Sequence, residues 1–285
     1  MFIKWSRTMP KFFSIVCVLF IIASCTSQPT MYQLEQETTL QYDRSNVRRA
    51  FVFLLLDIDV EICAYKNDVE LSCQRGHATK SASGFVVDKT DTHIDVITAA
   101  HFCDNHKGTI ERDETAKGIR FHAKGESRLT IKDYAANTFT NDIITIIAQD
   151  TNDDIDICLL RINEPILELD IAPVVLASRP PVWGDYIFHV GAPMGVYKQA
   201  SPMIFLGTFA GKPNDRDIYV VSSFTMPGSS GGMLINARGR LVGMVHEYIV
   251  AIKPHGGHAA TLKNIRHFIC ANVKQQRQHI FNCKN

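Results

Sequence analysis

Short runs of apolar and β-branched residues, each followed by Gly, Pro, Asn or Asp, recur along most of this 285-residue chain. Such runs are typical of β-strands, and many of them at short spacing indicate a sandwich or a barrel. Helical periodicity is clear at residues 262–278, where Leu262, Ile265, Ile269 and Val273 follow one another at three- and four-residue steps. The sequence therefore predicts an all-β fold with one C-terminal helix.

The N-terminal segment is typical of an exported protein. Lys4, Arg7 and Lys11 precede a run from Phe12 to Ala23 in which every residue except one serine is apolar. As a helix this run spans about 18 Å, which is too short for the roughly 30 Å hydrocarbon core of a bilayer. We therefore interpret residues 1–24 as a signal peptide rather than a membrane span.

Residues 22–25 (IASC) resemble the lipobox of bacterial lipoproteins, in which cleavage precedes the cysteine and its thiol receives the lipid. The resemblance implies that Cys25 is lipidated and that residues 25–45 form a tether. It also implies a lipid anchor in a bacterial membrane, on the periplasmic or outer-surface side of the cell envelope. The alternative is an ordinary secretory signal, cut at a nearby small residue.

Export would place the remaining cysteines in an oxidising compartment, where disulfides form. Six cysteines allow fifteen pairings, and the absence of a Cys-x-x-Cys motif disfavours a zinc site. The predicted pairs are the two that are close in sequence, Cys63 with Cys73 and Cys270 with Cys283, while Cys103 and Cys158 either pair or stay as buried thiols.

Charge and composition narrow the class of protein. The chain has 30 Lys and Arg against 29 Asp and Glu, a net charge of +1, which disfavours a protein built to bind nucleic acid. Hydrophobic residues make up 46% of the chain, which excludes a disordered chain. The sequence contains no glycine-rich phosphate loop, and we expect neither a cofactor nor a metal.

Three segments carry the residue types that acyl transfer needs. A strand-like run ends at His101, Asp156 begins another, and Ser230 lies in a glycine-rich turn. A serine hydroxyl needs a base, histidine can act as that base near neutral pH, and a buried aspartate orients the histidine. Backbone N–H groups of a tight glycine turn can form an oxyanion hole.

Each segment alone has a common structural explanation, but their combination is more specific. The chain order His, Asp, Ser differs from that of α/β-hydrolases and of subtilisins. Asp150, Asp153 and Asp154 lie close to Asp156, but only Asp156 begins an apolar strand that would bury it.

These segments resemble those of chymotrypsin-fold, trypsin-like serine proteases, and are most similar to the HtrA/Deg branch. The resemblance runs from about residue 81 to about residue 268. Its motifs are Ser83–Val87, Ile97–His101, Asp156–Ile162, Val190–Gly195, Pro227–Leu234 and Gly239–Val245.

The resemblance implies a peptidase domain over residues 46–285 with two six-stranded antiparallel β-barrels and a C-terminal helix. The barrels would occupy about 51–165 and 181–260, and the helix about 262–278. His101 and Asp156 would come from the first barrel and Ser230 from the second, with Gly228 and Ser230 providing the oxyanion hole. Protein or peptide substrates are implied.

The sequence also departs from the family pattern. Ser229 replaces the usual Asp or Asn before the nucleophile, which implies that no activation by a newly cut N-terminus is needed. We expect no PDZ domain. The charged segment 104–117 is predicted to be an exposed loop. His255-Gly256-Gly257-His258 has no third ligand nearby and is predicted to be a surface loop rather than a metal site.

Substrate-pocket residues are assigned by the resemblance as Phe224, Thr225 and His246. None of the three is acidic, which disfavours cleavage after Lys or Arg and favours an apolar P1 residue. A pocket histidine at position 246 would instead accept an acidic or amide P1 side chain. Two further alternatives remain: an envelope-tethered binding protein with a protease fold and lost or latent activity, and an esterase.

Overall fold

A computed structural model gives the structure of the chain. The predicted signal peptide, Cys25 and nearly all of the predicted tether lie outside its described part. No helix in that part is long and apolar enough to cross a membrane. The structure describes residues 44–104, 109–116, 118–163, 169–198, 202–249, 256–272, 281 and 283.

An eight-stranded antiparallel sheet forms the N-terminal half of the domain. Its strands lie in the order β4-β5-β1-β2-β3-β8-β7, and β6 pairs with β5. A short helix, α2, follows β3 directly. The elements are α1 (Arg44–Ala50), β1 (Phe51–Lys66), β2 (Val69–Lys89), β3 (Ile94–Ala99), α2 (Ala100–Cys103), β4 (Thr109–Ala116), β5 (Ile119–Asp133), β6 (Thr138–Thr140), β7 (Ile144–Asp150) and β8 (Ile157–Ile162).

The sheet has a buried part and an exposed part. Phe51 to Leu54 of β1 are buried, whereas all residues from Val69 to Lys80 of β2 are exposed. We call the largely exposed part of β1, β2 and β5 the arm, and define it as residues 57–80 and 119–128. Segment 109–116 was predicted to be a loop, and that prediction was wrong: it forms β4, pairing with β5 from Thr109↔Glu126 to Ala116↔Ile119. Backbone pairing at an edge needs no apolar side chains, so the sequence carried no strand signal there.

The sheet curls over a core without closing by strand pairing. Leu129 and Ile131 of β5 share this core with Ile144 of β7 and Leu160 of β8. The amide side chain of Asn141, between β6 and β7, spans the seam: it accepts from Leu129 N at 2.6 Å and donates to Ser127 O at 3.0 Å. One side chain thus supplies bonds that a closed barrel would make through its backbone.

A closed six-stranded barrel forms the C-terminal half, in the strand order β10-β11-β14-β13-β12-β9. The C-terminal helix, α3, packs beside it and buries four apolar side chains at helical spacing, Leu262, Ile265, Phe268 and Ile269. The elements are β9 (Tyr186–Gly191), β10 (Met203–Gly211), β11 (Ile218–Val221), β12 (Met233–Ile235), β13 (Leu241–Tyr248), β14 (Gly257–Thr261) and α3 (Leu262–Asn272).

The predicted all-β, chymotrypsin-like fold with a C-terminal helix is confirmed. The first half differs in detail, because it is a curled eight-stranded sheet rather than a closed six-stranded barrel. Gly257 and His258 were predicted to lie in a loop, but they begin β14; His255 lies outside the described residues.

Three disulfides cross-link the chain. The two pairs predicted from their closeness in sequence form as expected, and the open question about the remaining two cysteines is answered by a third bond. The bonds are Cys63–Cys73, Cys103–Cys158 and Cys270–Cys283.

Candidate active site

His101 and Asp156 form a pair joined by two hydrogen bonds. His101 lies in α2, directly after β3, and Asp156 lies directly before β8. Asp156 Oδ2 lies 2.7 Å from His101 Nδ1, and Asp156 Oδ1 accepts the His101 backbone N–H at 2.9 Å. The carboxylate therefore fixes both the ring and the backbone of the histidine. Asp156 has φ +45°, a conformation that aspartate tolerates better than most residues.

Three other histidine–carboxylate pairs among the described residues are within hydrogen-bond distance and provide an internal comparison; the His93–Asp95 pair, at 3.9 Å, is not. The pairs His77–Asp59, His122–Asp113 and His258–Glu247 have similar distances, 2.9–3.0 Å. Their carboxylate side chains are 80%, 61% and 56% exposed, against 12% for Asp156. The His101–Asp156 pair is thus distinguished by the burial of its carboxylate and not by distance.

The Cys103–Cys158 disulfide ties the same two segments together. Cys103 follows His101 by two residues, and Cys158 follows Asp156 by two residues. Both cysteines are buried, at 1% and 0% exposure. A covalent link therefore lies beside the hydrogen-bonded pair and restrains the helix against the strand.

Ser230 lies in a turn whose shape depends on glycine. Gly228 and Gly231 have φ of +94° and +82°, in the region that favours glycine. A Cβ on Gly231 would lie 2.0 Å from Ser83 O, so the close approach of these two backbone segments excludes a side chain at position 231. Ser83 N donates to Ser230 O at 2.8 Å, and Gly231 N donates to Val245 O at 2.7 Å. The turn is thus held between β2 and β13.

The hydroxyl of Ser230 and the ring of His101 line the same cavity, of about 1370 Å³. In this structure Ser230 Oγ donates to the backbone carbonyl of His246 at 3.1 Å. The described residues contain no hydrogen bond between Ser230 Oγ and His101. The three predicted catalytic residues are therefore brought to one cavity, with two of them bonded to each other.

The backbone amides of Gly228 and Ser230 have no hydrogen-bond acceptor among the described residues. Gly228 also lines the cavity. Met194 N donates to Pro227 O at 2.5 Å, and this bond holds the carbonyl of the Pro227–Gly228 peptide toward Met194. Because N–H and C=O of a trans peptide point in opposite directions, the Gly228 N–H is kept away from that bond. The two amides remain available to a ligand.

Two buried histidines lie around the serine turn. His189 of β9 places Nδ1 2.8 Å from Phe224 O, and burial lowers the pKa of its ring to about 4. His246 of β13 places Nδ1 4.0 Å from Asp156 Oδ2, and burial likewise lowers its pKa to about 4, against the attraction of Asp156. Nε2 of His246 is buried and has no partner among the described residues.

The three residues assigned to the substrate pocket occupy different positions. The ring of Phe224 stacks on Phe205 at a centroid distance of 5.0 Å, and Thr225 Oγ1 donates to Gly256 O at 2.5 Å. The His246 side chain is 4% exposed and faces Asp156. Of these three residues, His246 is among the described residues that line the cavity around Ser230, and Phe224 and Thr225 are not.

Two groups of side chains in the described residues have the composition of a metal site. Cys63 and Cys73 lie near Glu70, but the two sulfurs are joined as a disulfide. Asp88, His93 and Asp95 form the second group. Arg161 already binds Asp95 through two hydrogen bonds, of 2.7 and 2.8 Å. Both groups therefore have a structural explanation.

Ser83 is a site residue that sequence reasoning missed. Its side chain is fully buried, donates to Gly228 O at 2.8 Å and accepts from Ala192 N at 2.9 Å. It thereby positions the peptide that precedes the serine turn. Its sequence signals are its place at the start of the Ser83–Val87 motif and a hydroxyl beside an apolar run.

The sequence matches the family model of the trypsin-like peptidase domain over residues 82–244. No match is found among curated proteins. Of 496 matching chains in solved structures, one is Rv3671c of Mycobacterium tuberculosis H37Rv, in the inactive form of a serine-to-alanine mutant. It is 17% identical over 76% of this chain and 87% of that chain, with a TM-score of 0.47. The family match spans more than half of the chain and includes His101, Asp156 and Ser230, so this chain belongs to the trypsin-like peptidase family.

Proposed function

We propose that this peptidase is a serine endopeptidase in which Ser230 is the nucleophile, His101 the general base and Asp156 the residue that orients it. The observation that carries the proposal is the hydrogen bond of His101 to the buried carboxylate of Asp156, in the same cavity as Ser230. Of the four histidine–carboxylate pairs compared above, this pair has the most buried carboxylate.

The geometry supports a defined sequence of proton transfers. Ser230 Oγ attacks the scissile carbonyl, and its proton passes to His101 Nε2 while Asp156 stabilises the imidazolium through Nδ1. His101 then gives the proton to the leaving amine, and water hydrolyses the acyl-enzyme by the same route. The developing oxyanion accepts from Gly228 N and Ser230 N, and losing one such donor typically costs about 10²–10³ in kcat.

Before attack, Ser230 Oγ must exchange its bond to His246 O for one to His101. Catalytic hydrogen bonds commonly tighten only when substrate binds. The same observation favours one alternative, an envelope-tethered protease-fold binding protein with latent activity, in which the bond to His246 O persists.

A fluorophosphonate probe tests the proposal, because it labels activated serines whatever their substrate preference. We expect the full-length protein to be labelled and Ser230→Ala and His101→Ala to lose the label. His122→Ala is the matched control, since it removes a histidine from an exposed carboxylate pair. Absence of labelling in folded wild-type protein would overturn the proposal and favour the latent binding protein.

The P1 preference and the location belong to the same proposal. None of the residues assigned to the pocket is acidic, which supports an apolar P1 residue. A peptide-library digest dominated by cleavage after Lys, Arg, Glu or Gln would contradict it. Three disulfides support export to an oxidising compartment. Metabolic labelling with a clickable fatty acid tests the anchor, and equal label on wild type and Cys25→Ala would exclude it.

A further inference from the structure

The cavity that contains Ser230 has a marked excess of negative charge. Its described lining includes six carboxylates and two cationic side chains, although the whole chain has a net charge of +1. Clefts lined by one sign of charge focus the field and raise the local concentration of oppositely charged ligands. The six are Asp104, Asp153, Asp154, Asp156, Asp215 and Glu247, and the two cations are Lys80 and Arg216.

Four of the six carboxylates have a side-chain partner among the described residues: Asp104 accepts from Gln149 Nε2, Glu247 pairs with His258, and the other two are bonded to residues of the cavity lining. Asp156 binds His101, and Asp154 binds Arg216 at 2.8 Å. A hydrogen bond from Asp217 N and then the bond from Arg216 lower the pKa of Asp154. Asp154 and Arg216 therefore neutralise each other. Lys80 is then the only other cation among the described residues that line the cavity.

Three of the six lining carboxylates form the acidic rim, which we define as Asp153, Asp215 and Glu247. Asp153 and Asp215 have no ion pair among the described residues, and both are exposed. Glu247 accepts from His258 Nδ1 at 2.9 Å while its side chain stays 56% exposed. The rim therefore presents carboxylates that protein cations leave largely unneutralised.

The His246 ring is a second, independent sign of a ligand. It lines the cavity with a side chain that is only 4% exposed, and its Nε2 has no partner among the described residues. The Asp156 carboxylate, 4.0 Å from Nδ1, favours the neutral tautomer with the proton on Nδ1. Nε2 is then a hydrogen-bond acceptor, which complements a donor-only side chain such as lysine or arginine.

We propose that the acidic rim selects polypeptides with lysine or arginine side chains close to the scissile bond but outside the P1 position. The P1 position is left out because none of the residues assigned to it, Phe224, Thr225 and His246, is acidic. This inference rests on the proposed function for the existence of a scissile bond. The charge recognition itself is a binding property and can be measured without turnover.

The test uses full-length Ser230→Ala protein and three fluorescein-labelled peptides with a central leucine. The leucine is flanked by lysines in one peptide, by glutamines in the second and by glutamates in the third. Fluorescence anisotropy at low salt gives each Kd. Exposed ion pairs are individually weak, so we expect the lysine peptide to bind about tenfold more tightly than the glutamine peptide, and the glutamate peptide to bind least. The preference should shrink at high salt.

Matched charge removals separate the rim from overall charge. The rim variant carries Asp153→Asn, Asp215→Asn and Glu247→Gln. The control variant carries Asp91→Asn, Asp142→Asn and Glu126→Gln, three exposed carboxylates that are not among the cavity-lining residues. We expect the rim variant to lose the lysine preference and the control variant to keep it.

Equal Kd values for the three peptides, or an unchanged preference in the rim variant, would overturn this inference even if Ser230 reacts with the fluorophosphonate probe. Conversely, a rim-dependent lysine preference in a protein that the probe does not label would uphold the charge recognition and refute the proposed catalysis.

Discussion

The open sheet and the closed barrel position their parts of the candidate site by different means. In the sheet, one side chain, Asp156, binds His101 twice, and a disulfide restrains the two segments beside it. In the barrel, the Ser230 turn is held by backbone hydrogen bonds and by glycines at positive φ. A side chain can be substituted without moving the backbone. A turn that is held by its own backbone conformation cannot be altered without moving it. Substitutions at the site residues of the sheet half should therefore lower activity and leave stability unchanged. Substitutions in the turn of the barrel half should lower both.

The largest effect is expected from Asp156→Asn. Asparagine tolerates positive φ and can still accept the His101 N–H, so the fold should be retained. In serine proteases this exchange fixes the wrong tautomer of the histidine and lowers kcat about 10⁴-fold, or about 5.5 kcal/mol. Peptidase kinetics and thermal unfolding measure the two quantities. Asp113→Asn, in the exposed pair with His122, should change neither; a large loss of stability in Asp156→Asn would contradict the comparison.

Gly231→Ala tests the barrel half. Its Cβ would lie 2.0 Å from Ser83 O and 2.5 Å from Thr98 Oγ1, at φ +82°. Overpacking and left-handed strain together should cost about 4 kcal/mol of the free energy of unfolding, and activity should be lost with it. Chemical denaturation measures the loss. Gly118→Ala, at φ +76° with no atom within 4 Å, isolates the strain alone and should cost about 1 kcal/mol.

A stable and active Gly231→Ala protein would show that the barrel can adjust its turn. It would remove the distinction between the two halves.

The Cys103–Cys158 disulfide should contribute both to the stability of the open sheet and to the position of His101. Cys103→Ser with Cys158→Ser opens a loop of 55 residues and should cost about 3 kcal/mol of stability, with a fall in kcat as α2 moves relative to β8. Cys63→Ser with Cys73→Ser is the control, because it opens a loop of 10 residues in the arm. The control should cost less and leave kcat unchanged. Equal kcat in both variants would show that the hydrogen bonds of Asp156 are sufficient.

The smallest effect is expected for the loss of stability in acid, to which two buried histidines of the barrel half should contribute most. His189 and His246 have native pKa values of about 4, below the ordinary value of 6.5. Between those values the unfolded chain binds protons that the native chain does not, so the free energy of unfolding falls as pH falls. Each histidine should contribute about 2 kcal/mol of loss between pH 7 and pH 5. Urea unfolding at both pH values measures the slope, and His189→Asn should reduce it. An unchanged slope would show that His189 is protonated in the native state.

Sequence reasoning located the parts of the site that are local in the chain. His101 ends and Asp156 begins a recognisable apolar run, and the glycines around Ser230 indicate a tight turn. It missed contacts between distant segments: Ser83 with Gly228, His246 with Asp156, and the strand pairing of segment 109–116. The contacts between distant segments depend on which strands lie side by side in the fold. The pairing of segment 109–116 was missed because an exposed edge strand needs no apolar pattern. The Cys103–Cys158 pairing stayed open for the first reason, since 55 residues separate the two cysteines.

The position of the Ser230 turn between β2 and β13 also sets the order in which the protein can become active. Ser83 and Thr98, on which the turn rests, are made early, but Gly231 N also needs Val245 O. Chains are synthesised from the N-terminus, and early segments begin to fold first. A growing chain therefore cannot complete this turn until β13 has been made. Under the proposed function, the active site is therefore incomplete while the residues before β13 are being synthesised.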